Sequence, residues 1–128
     1  MTRPTPGATI VLDALDLDRT QAFWAQLLGF EAVETERAGS LLERRRLVSP
    51  EVAAAHIVIQ RCDPRPPIGS CVGSLRRIEL HVADPAGAAA RVPDPVWIEP
   101  PTDDPAARIT LRDPNGYHVA LVAASSPG

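Results

Sequence analysis

Arg77, Glu79 and His81 fall on alternate positions of the segment RIELHV, and Thr9, Val11 and Asp13 do the same in TIVLDA. Such alternation puts each trio on one face of a strand. Two more strand-like runs add His56, Val58, Gln60 and Cys62, then His118, Ala120 and Val122. These residue types support two chemistries. Arg77 carries a planar, permanently charged fork suited to a bidentate grip on a carboxylate or phosphate, and its structural alternative is an ion pair with Glu79. Asp13, Glu79 and His81 are acid–base types, and paired carboxylates act as acid and base when burial separates their pKa values. No nucleophile triad or phosphate loop accompanies them. The histidines also have ordinary readings, half-exposed at a sheet rim or hydrogen-bonded to a neighbour.

The elements that position these residues can be read from periodicity. Residues 8–14 alternate as a half-buried strand. Asp16 or Asp18 caps a helix in which Phe23, Trp24, Leu27 and Leu28 recur at amphipathic spacing, and Gly29 ends it. That spacing makes the aromatic pair core rather than a ligand cage. Segments 30–36, 41–48 and 56–62 read as strands, the first two around an Ala-Gly-Ser turn. Arg44, Arg45 and Arg46 lie in the middle one and cannot all face one ligand, so the run reads as a solvated or edge strand guarded by charge. Residues 63–75, rich in Pro and Gly, read as a linker. A strand at 77–82 and a short helix at 85–92 follow. Strands at 96–99, 108–112 and 117–122 come last, the final two joined by an Asp-Pro-Asn-Gly hairpin turn.

The two halves overlay. Ile10 matches Ile78, Leu12 matches Leu80 and Asp16 matches Asp84, each at an offset of 68. Both halves run strand, helix, strand, strand, strand, so the chain reads as a duplicated βαβββ unit. Neither half can bury both faces of a four-stranded sheet alone, and the two must pack into one α+β domain. It spans residues 8–123, with module 1 at about 8–62, module 2 at about 76–123, and flexible termini at 1–7 and 124–128.

Composition narrows the classes. The 128 residues suffice for one domain, and 45% apolar content supports a core, built mostly of aliphatic side chains because aromatics supply only 4%. Thirteen basic residues, all arginine, stand against 16 acidic ones for a net charge of −3, which argues against nucleic acid as the main partner. The absence of lysine and the abundance of Ala, Pro and Gly read as codon bias from a GC-rich genome, a genomic signature rather than a functional one. No apolar run reaches the roughly 20 residues of a membrane span, so the expectation is a soluble cytoplasmic protein. Cys62 and Cys71 make neither a disulfide framework nor a metal knuckle by spacing.

The stretch Asp16-Leu17-Asp18-Arg19-Thr20-Gln21-Ala22-Phe23-Trp24, then Leu27-Leu28-Gly29-Phe30, and later Arg112-Asp113-Pro114-Asn115-Gly116-Tyr117 with Leu121-Val122, resemble signatures of the vicinal oxygen chelate superfamily. That group contains glyoxalase I, bleomycin-resistance proteins and extradiol dioxygenases, and the likeness is to its small bacterial glyoxalase-like members. The resemblance implies paired βαβββ modules forming a cup-shaped, incompletely closed mixed sheet with helices outside. Its concave side holds a small molecule and, in metal-dependent members, a divalent ion bound by His, Gln or Glu that polarises substrate oxygens. Those ligand positions fall here on Thr9, near Gln60, on Arg77 and on Ala120. Only Gln60 is a ligand type. A guanidinium repels a divalent cation by roughly 8 kcal/mol at about 4 Å and an effective dielectric near 20.

Two functions from different classes follow. One is metal-free binding of a small, anionic metabolite in the cup by Arg77, Glu79, Gln60, Asp13, Thr9 and His118, with no metal ligand and no assigned catalytic residue. The alternative is a metal-dependent glyoxalase-like lyase, isomerase or dioxygenase, its ion displaced toward Asp13, Glu79, His81 and His118. His81 then stands four residues, roughly 13 Å, beyond the usual ligand position. The resemblance also implies a homodimer, with modules paired within a chain or swapped between two.

Overall fold

A computed structural model describes residues 7–38, 42–61 and 77–124. Its elements are β1 (Ala8–Ala14), α1 (Leu17–Leu28), β2 (Glu31–Ala38), β3 (Leu42–Val48) and β4 (Ala55–Arg61), followed by β5 (Ile78–Val82), α2 (Pro85–Ala90), β6 (Val96–Glu99), β7 (Ile109–Arg112) and β8 (His118–Ala123). They form two four-stranded mixed sheets with matching orders, β1-β4-β3-β2 and β5-β8-β7-β6. In each, the first and last strands pair in parallel and the rest antiparallel. The expected α+β duplication is therefore present, strand for strand. A single 3₁₀ turn at Pro50–Val52, with no counterpart in the sequence reading, joins β3 to β4.

Helix ends repeat as well. The Asp16 carboxylate accepts from the Arg19 N–H at 3.1 Å, and Asp84 from the Gly87 N–H at 3.0 Å. Both satisfy a donor that the first helical turn leaves free. Gly29, at φ 68°, closes α1 by donating its N–H to the Ala25 carbonyl, in a conformation that costs a side chain dearly.

One buried cluster runs through both modules. Leu12, Ala14, Leu47, Ile57 and Ile59 supply it from the first sheet, and Leu80, Val82, Leu111, Val119 and Leu121 from the second. Trp24 lies at its centre, edge-on to Phe23 at 5.5 Å and to Phe30 at 5.7 Å, so the aromatic pair is core. Most polar side chains of both sheets lie on the faces turned away from this cluster, Glu43 and Arg45 on the α1 side being an exception.

The Asp-Pro-Asn-Gly turn is a hairpin, as expected, with Gly116 at φ 99° donating to the Asp113 carbonyl at 3.1 Å. It is also buried. Asn115 is 1% exposed; its Oδ1 accepts from the Leu15 N–H at 2.8 Å and its Nδ2 donates to Thr20 Oγ1 at 3.1 Å. The Tyr117 hydroxyl accepts from the Asp13 N–H at 3.1 Å. Burial pushes the Asp113 carboxyl up, against the pull of N–H donors on Asn115 and Tyr117. The second module is thus pinned into the first. Arg91, at the end of α2, adds to this by donating to the Leu27 carbonyl and to Glu51, both at 2.9 Å.

The reading of the arginine run needs correction. β3 is an inner strand between β4 and β2. Arg45 turns toward α1, where it donates to Asp18 at 2.8 Å and Gln21 at 2.9 Å and pairs with Glu43, while Arg44 and Arg46 sit on the opposite face. Charge is tolerated inside the sheet because partners meet it, not because the strand is an edge. The expected linker, Cys62, Cys71, and residues 1–6 and 125–128 of the terminal arms lie outside the described residues, as do positions 39–41 of the turn between β2 and β3. Among the described residues no helix is long and apolar enough to cross a membrane.

Candidate functional site

Strand register builds the first polar face in rungs. One reads Val11, Val58, Arg46, Glu34 across β1, β4, β3 and β2; the next reads Asp13, Gln60, Arg44, Glu36. Thr9 stands beside His56 at the end of β1. A cleft of about 140 Å³ opens here, walled by Thr9, Val11 and Val58 on one side and by the alternating Glu34, Glu36, Arg44 and Arg46 on the other. Val11 is 55% exposed at its mouth. Arg46 reaches Glu34 at 3.4 Å and His56 Nδ1 at 3.3 Å. Arg44 enters no ion pair among the described residues. Gln60 Nε2 donates to Asp13 Oδ1 at 2.8 Å, which leaves Gln60 Oε1 buried without a hydrogen-bond partner among those residues.

The second polar face repeats the construction with different chemistry. Its central rung is Glu79, Ala120, Thr110, Glu99, and the neighbouring rung sets His118 beside Arg112 and Val96. Glu99 accepts both prongs of Arg108, at 2.8 and 3.0 Å, and the Thr110 hydroxyl at 2.6 Å. The hydrogen bonds from Arg108 and Thr110 hold its carboxyl down at about 2. The charges of Arg77 and Glu79 act on the same pair. Arg77 lies 3.7 Å from Glu79, and His81 lies 4.0 Å from that carboxylate, all three partly exposed.

The six residues singled out from the sequence thus divide. Thr9, Asp13 and Gln60 stand on the first sheet, the last two in direct contact; Arg77, Glu79 and His118 stand on the second, with only Arg77 and Glu79 paired. Among the described residues no hydrogen bond or ion pair joins one polar face to the other. Sequence reasoning missed Glu34, Glu36, Arg44 and Arg46, and likewise Glu99, Arg108, Thr110 and Arg112. The signal was available: acidic residues at alternate positions of β2 face arginines at alternate positions of β3, and only the strand order was lacking.

Register also moves one family position. Val11 pairs with Val58 just as Glu79, 68 residues on, pairs with Ala120. The first-module counterpart of Ala120 is therefore Val58, two residues before Gln60, and Gln60 corresponds to Val122. The four positions that the resemblance implies for metal ligands are, with this register, Thr9, Val58, Arg77 and Ala120, a set with no carboxylate or imidazole and one fixed cation. These residues do not fit a divalent ion. Of the displaced set, Asp13 is on the other sheet from Glu79, His81 and His118. Among the described residues no three His, Cys, Asp or Glu side chains gather as an ion would require.

A family model described as "Glyoxalase-like domain" matches residues 9–122, nearly the whole chain, and the protein belongs to that family. A search of curated proteins gives no match. Solved structures share the fold at low identity. TnmS3, an antibiotic binding protein from Streptomyces sp. CB03234, superposes with a TM-score of 0.68 at 19% identity over 98% of this chain and 99% of that one. TioX from Micromonospora sp. ML1 gives 0.68 at 18%, covering 92% and 98%. A mutant of the fosfomycin resistance protein FosX from Listeria monocytogenes, complexed with Mn(II) and 1S,2S-dihydroxypropylphosphonic acid, gives 0.66 at 15%, covering 91% and 90%.

Proposed function

We propose that this chain is a binding protein of the glyoxalase/bleomycin-resistance kind, taking a small molecule with an anionic group on its polar sheet faces and using no resident metal. What carries the reading is Arg77, a permanent cation, at a position where the resemblance implies a metal ligand, with Thr9, Val58 and Ala120 at the other three. A fork that grips oxyanions replaces a ligand that held a cation. Arg44 and Gln60 Oε1, both without a partner among the described residues, support a ligand that presents both an anion and a hydrogen-bond donor. The antibiotic-binding neighbour TnmS3 is an instance of this fold used for binding. The reading extends to a cytoplasmic homodimer in which the faces of two copies meet, since each sheet offers its polar face away from the shared core.

The test is a thermal-shift panel of small carboxylates, phosphates and phosphonates, run beside metal analysis of the purified protein. An anionic compound should raise the melting temperature, and Arg77→Ala should lower its affinity about tenfold, the loss expected when a charge-assisted pair is removed. Stoichiometric Ni, Zn, Mn or Fe, or stabilisation undiminished in Arg77→Ala, would overturn the reading, the metal in favour of a lyase, isomerase or dioxygenase.

A further inference from the structure

At the junction of the modules, away from the polar rungs, a groove of about 300 Å³ runs between α1 and the chain that leaves α2. One wall is a stripe of α1, with Arg19, Ala22, Phe23 and Gln26 at the spacing that puts residues on one helix face. The facing wall is Pro93, Asp94 and Pro95, and Pro114 of the buried hairpin turn closes an end. These walls are stiff. Prolines fix their own backbone, Phe23 is held edge-on against Trp24, and Asp94 sits between two prolines at φ 48°, the one non-glycine residue at positive φ among those described. A pre-shaped groove spends little on ordering itself around a ligand.

Its cationic side chains are open to a ligand. Arg19 and Arg112 both line the groove, and the guanidinium of neither enters an ion pair or side-chain hydrogen bond among the described residues. The Asp113 carboxylate, also at the wall, is engaged by its own turn. The formal charges of the lining balance, Arg19 and Arg112 against Asp94 and Asp113, but the Asp113 oxygens are taken by the turn, so among the described residues both guanidiniums stay without a partner. Apolar walls of proline and phenylalanine beside two unpartnered guanidiniums suit a flat apolar body carrying a single carboxylate. The volume is at the lower end for small-molecule sites. We infer that this groove is a second binding site, for an aryl carboxylate, independent of the sheet faces.

Calorimetric titration with 2-naphthoate and its neutral twin 2-naphthamide tests this. Wild type should bind 2-naphthoate at one site with a Kd under about 1 mM, and the amide at least tenfold more weakly. Ala22→Trp, a change at an exposed helix position that fills the groove, should abolish binding, and Gln26→Trp serves as its second version. Arg19→Ala with Arg112→Ala should weaken the carboxylate at least tenfold and leave the amide within twofold. Val11→Arg, which blocks the cleft on the first sheet, should change neither titration. No naphthoate binding, equal affinity for the amide, binding that survives both tryptophan variants, or loss in Val11→Arg would each overturn the inference. The last result would move the site to the sheet and leave the first proposal standing.

Discussion

The two modules share element order, strand register and capping aspartates, and yet they are joined to each other by unlike means. The second enters the first through Asn115 and Tyr117, whose side chains are buried and satisfy backbone donors on Asp13 and Leu15. The first answers through Glu51, which meets Arg91 in a half-exposed pair. Their polar faces differ in the same sense. The first is a set of loosely matched charges around a cleft, whereas the second locks Glu99 between Arg108 and Thr110. Duplication kept the backbone plan, and the side chains that face water or the partner module diverged, because only the core requires both copies to match.

The largest effect tests whether the shared core makes one unit. Leu12 and Leu80 are counterparts, both buried, and Leu12→Ala or Leu80→Ala should each cost about 3 kcal/mol. Urea unfolding should remain a single transition for either variant, read alike by fluorescence and circular dichroism. Two separated transitions would break the picture of one core. Next comes the asymmetry of the junction. Asn115→Ala removes an acceptor and a donor from buried partners and should cost about 2–3 kcal/mol, while Glu51→Ala should cost under about 1 kcal/mol. Equal losses would erase the distinction drawn between the two connectors.

The smallest effect concerns acid. The Glu99 carboxyl lies below its ordinary 4.5, at about 2, so its contribution to stability is whole above pH 4.5 and fades as pH falls toward 2. Glu99→Gln should be less stable than wild type at neutral pH, and the two melting temperatures should converge on acidification through that window. A gap that persists at pH 2 would show that the pair acts through packing rather than charge.

Much of this was legible in the chain and some was not, for identifiable reasons. Alternation gave β1 to the residue, β6 was bounded correctly at 96–99, and aspartates, Asp16 or Asp18 and then Asp84, announced both helices. The hairpin turn was readable from four residues, but its burial was not, because Leu15 and Thr20 lie 100 and 95 residues away along the chain. The arginine run misled for a similar reason: Arg45 finds Asp18 and Gln21 on α1, and Arg46 finds Glu34 across β2. The match between Gln60 in the first module and Ala120 in the second shifts by two residues once strand pairing is known, because counting along β4 gives its faces but not its partner on β1. That partner is a matter of register, which a single sequence does not state.

The buried asparagine also orders events in time. During synthesis Asp13 and Leu15 precede Tyr117 and Asn115 by about a hundred positions, so the side chains that accept from their amides are added last. The last hairpin is therefore a latch that closes on the oldest part of the chain, and a nascent or truncated protein ending before it holds its opening strand unfastened at one end.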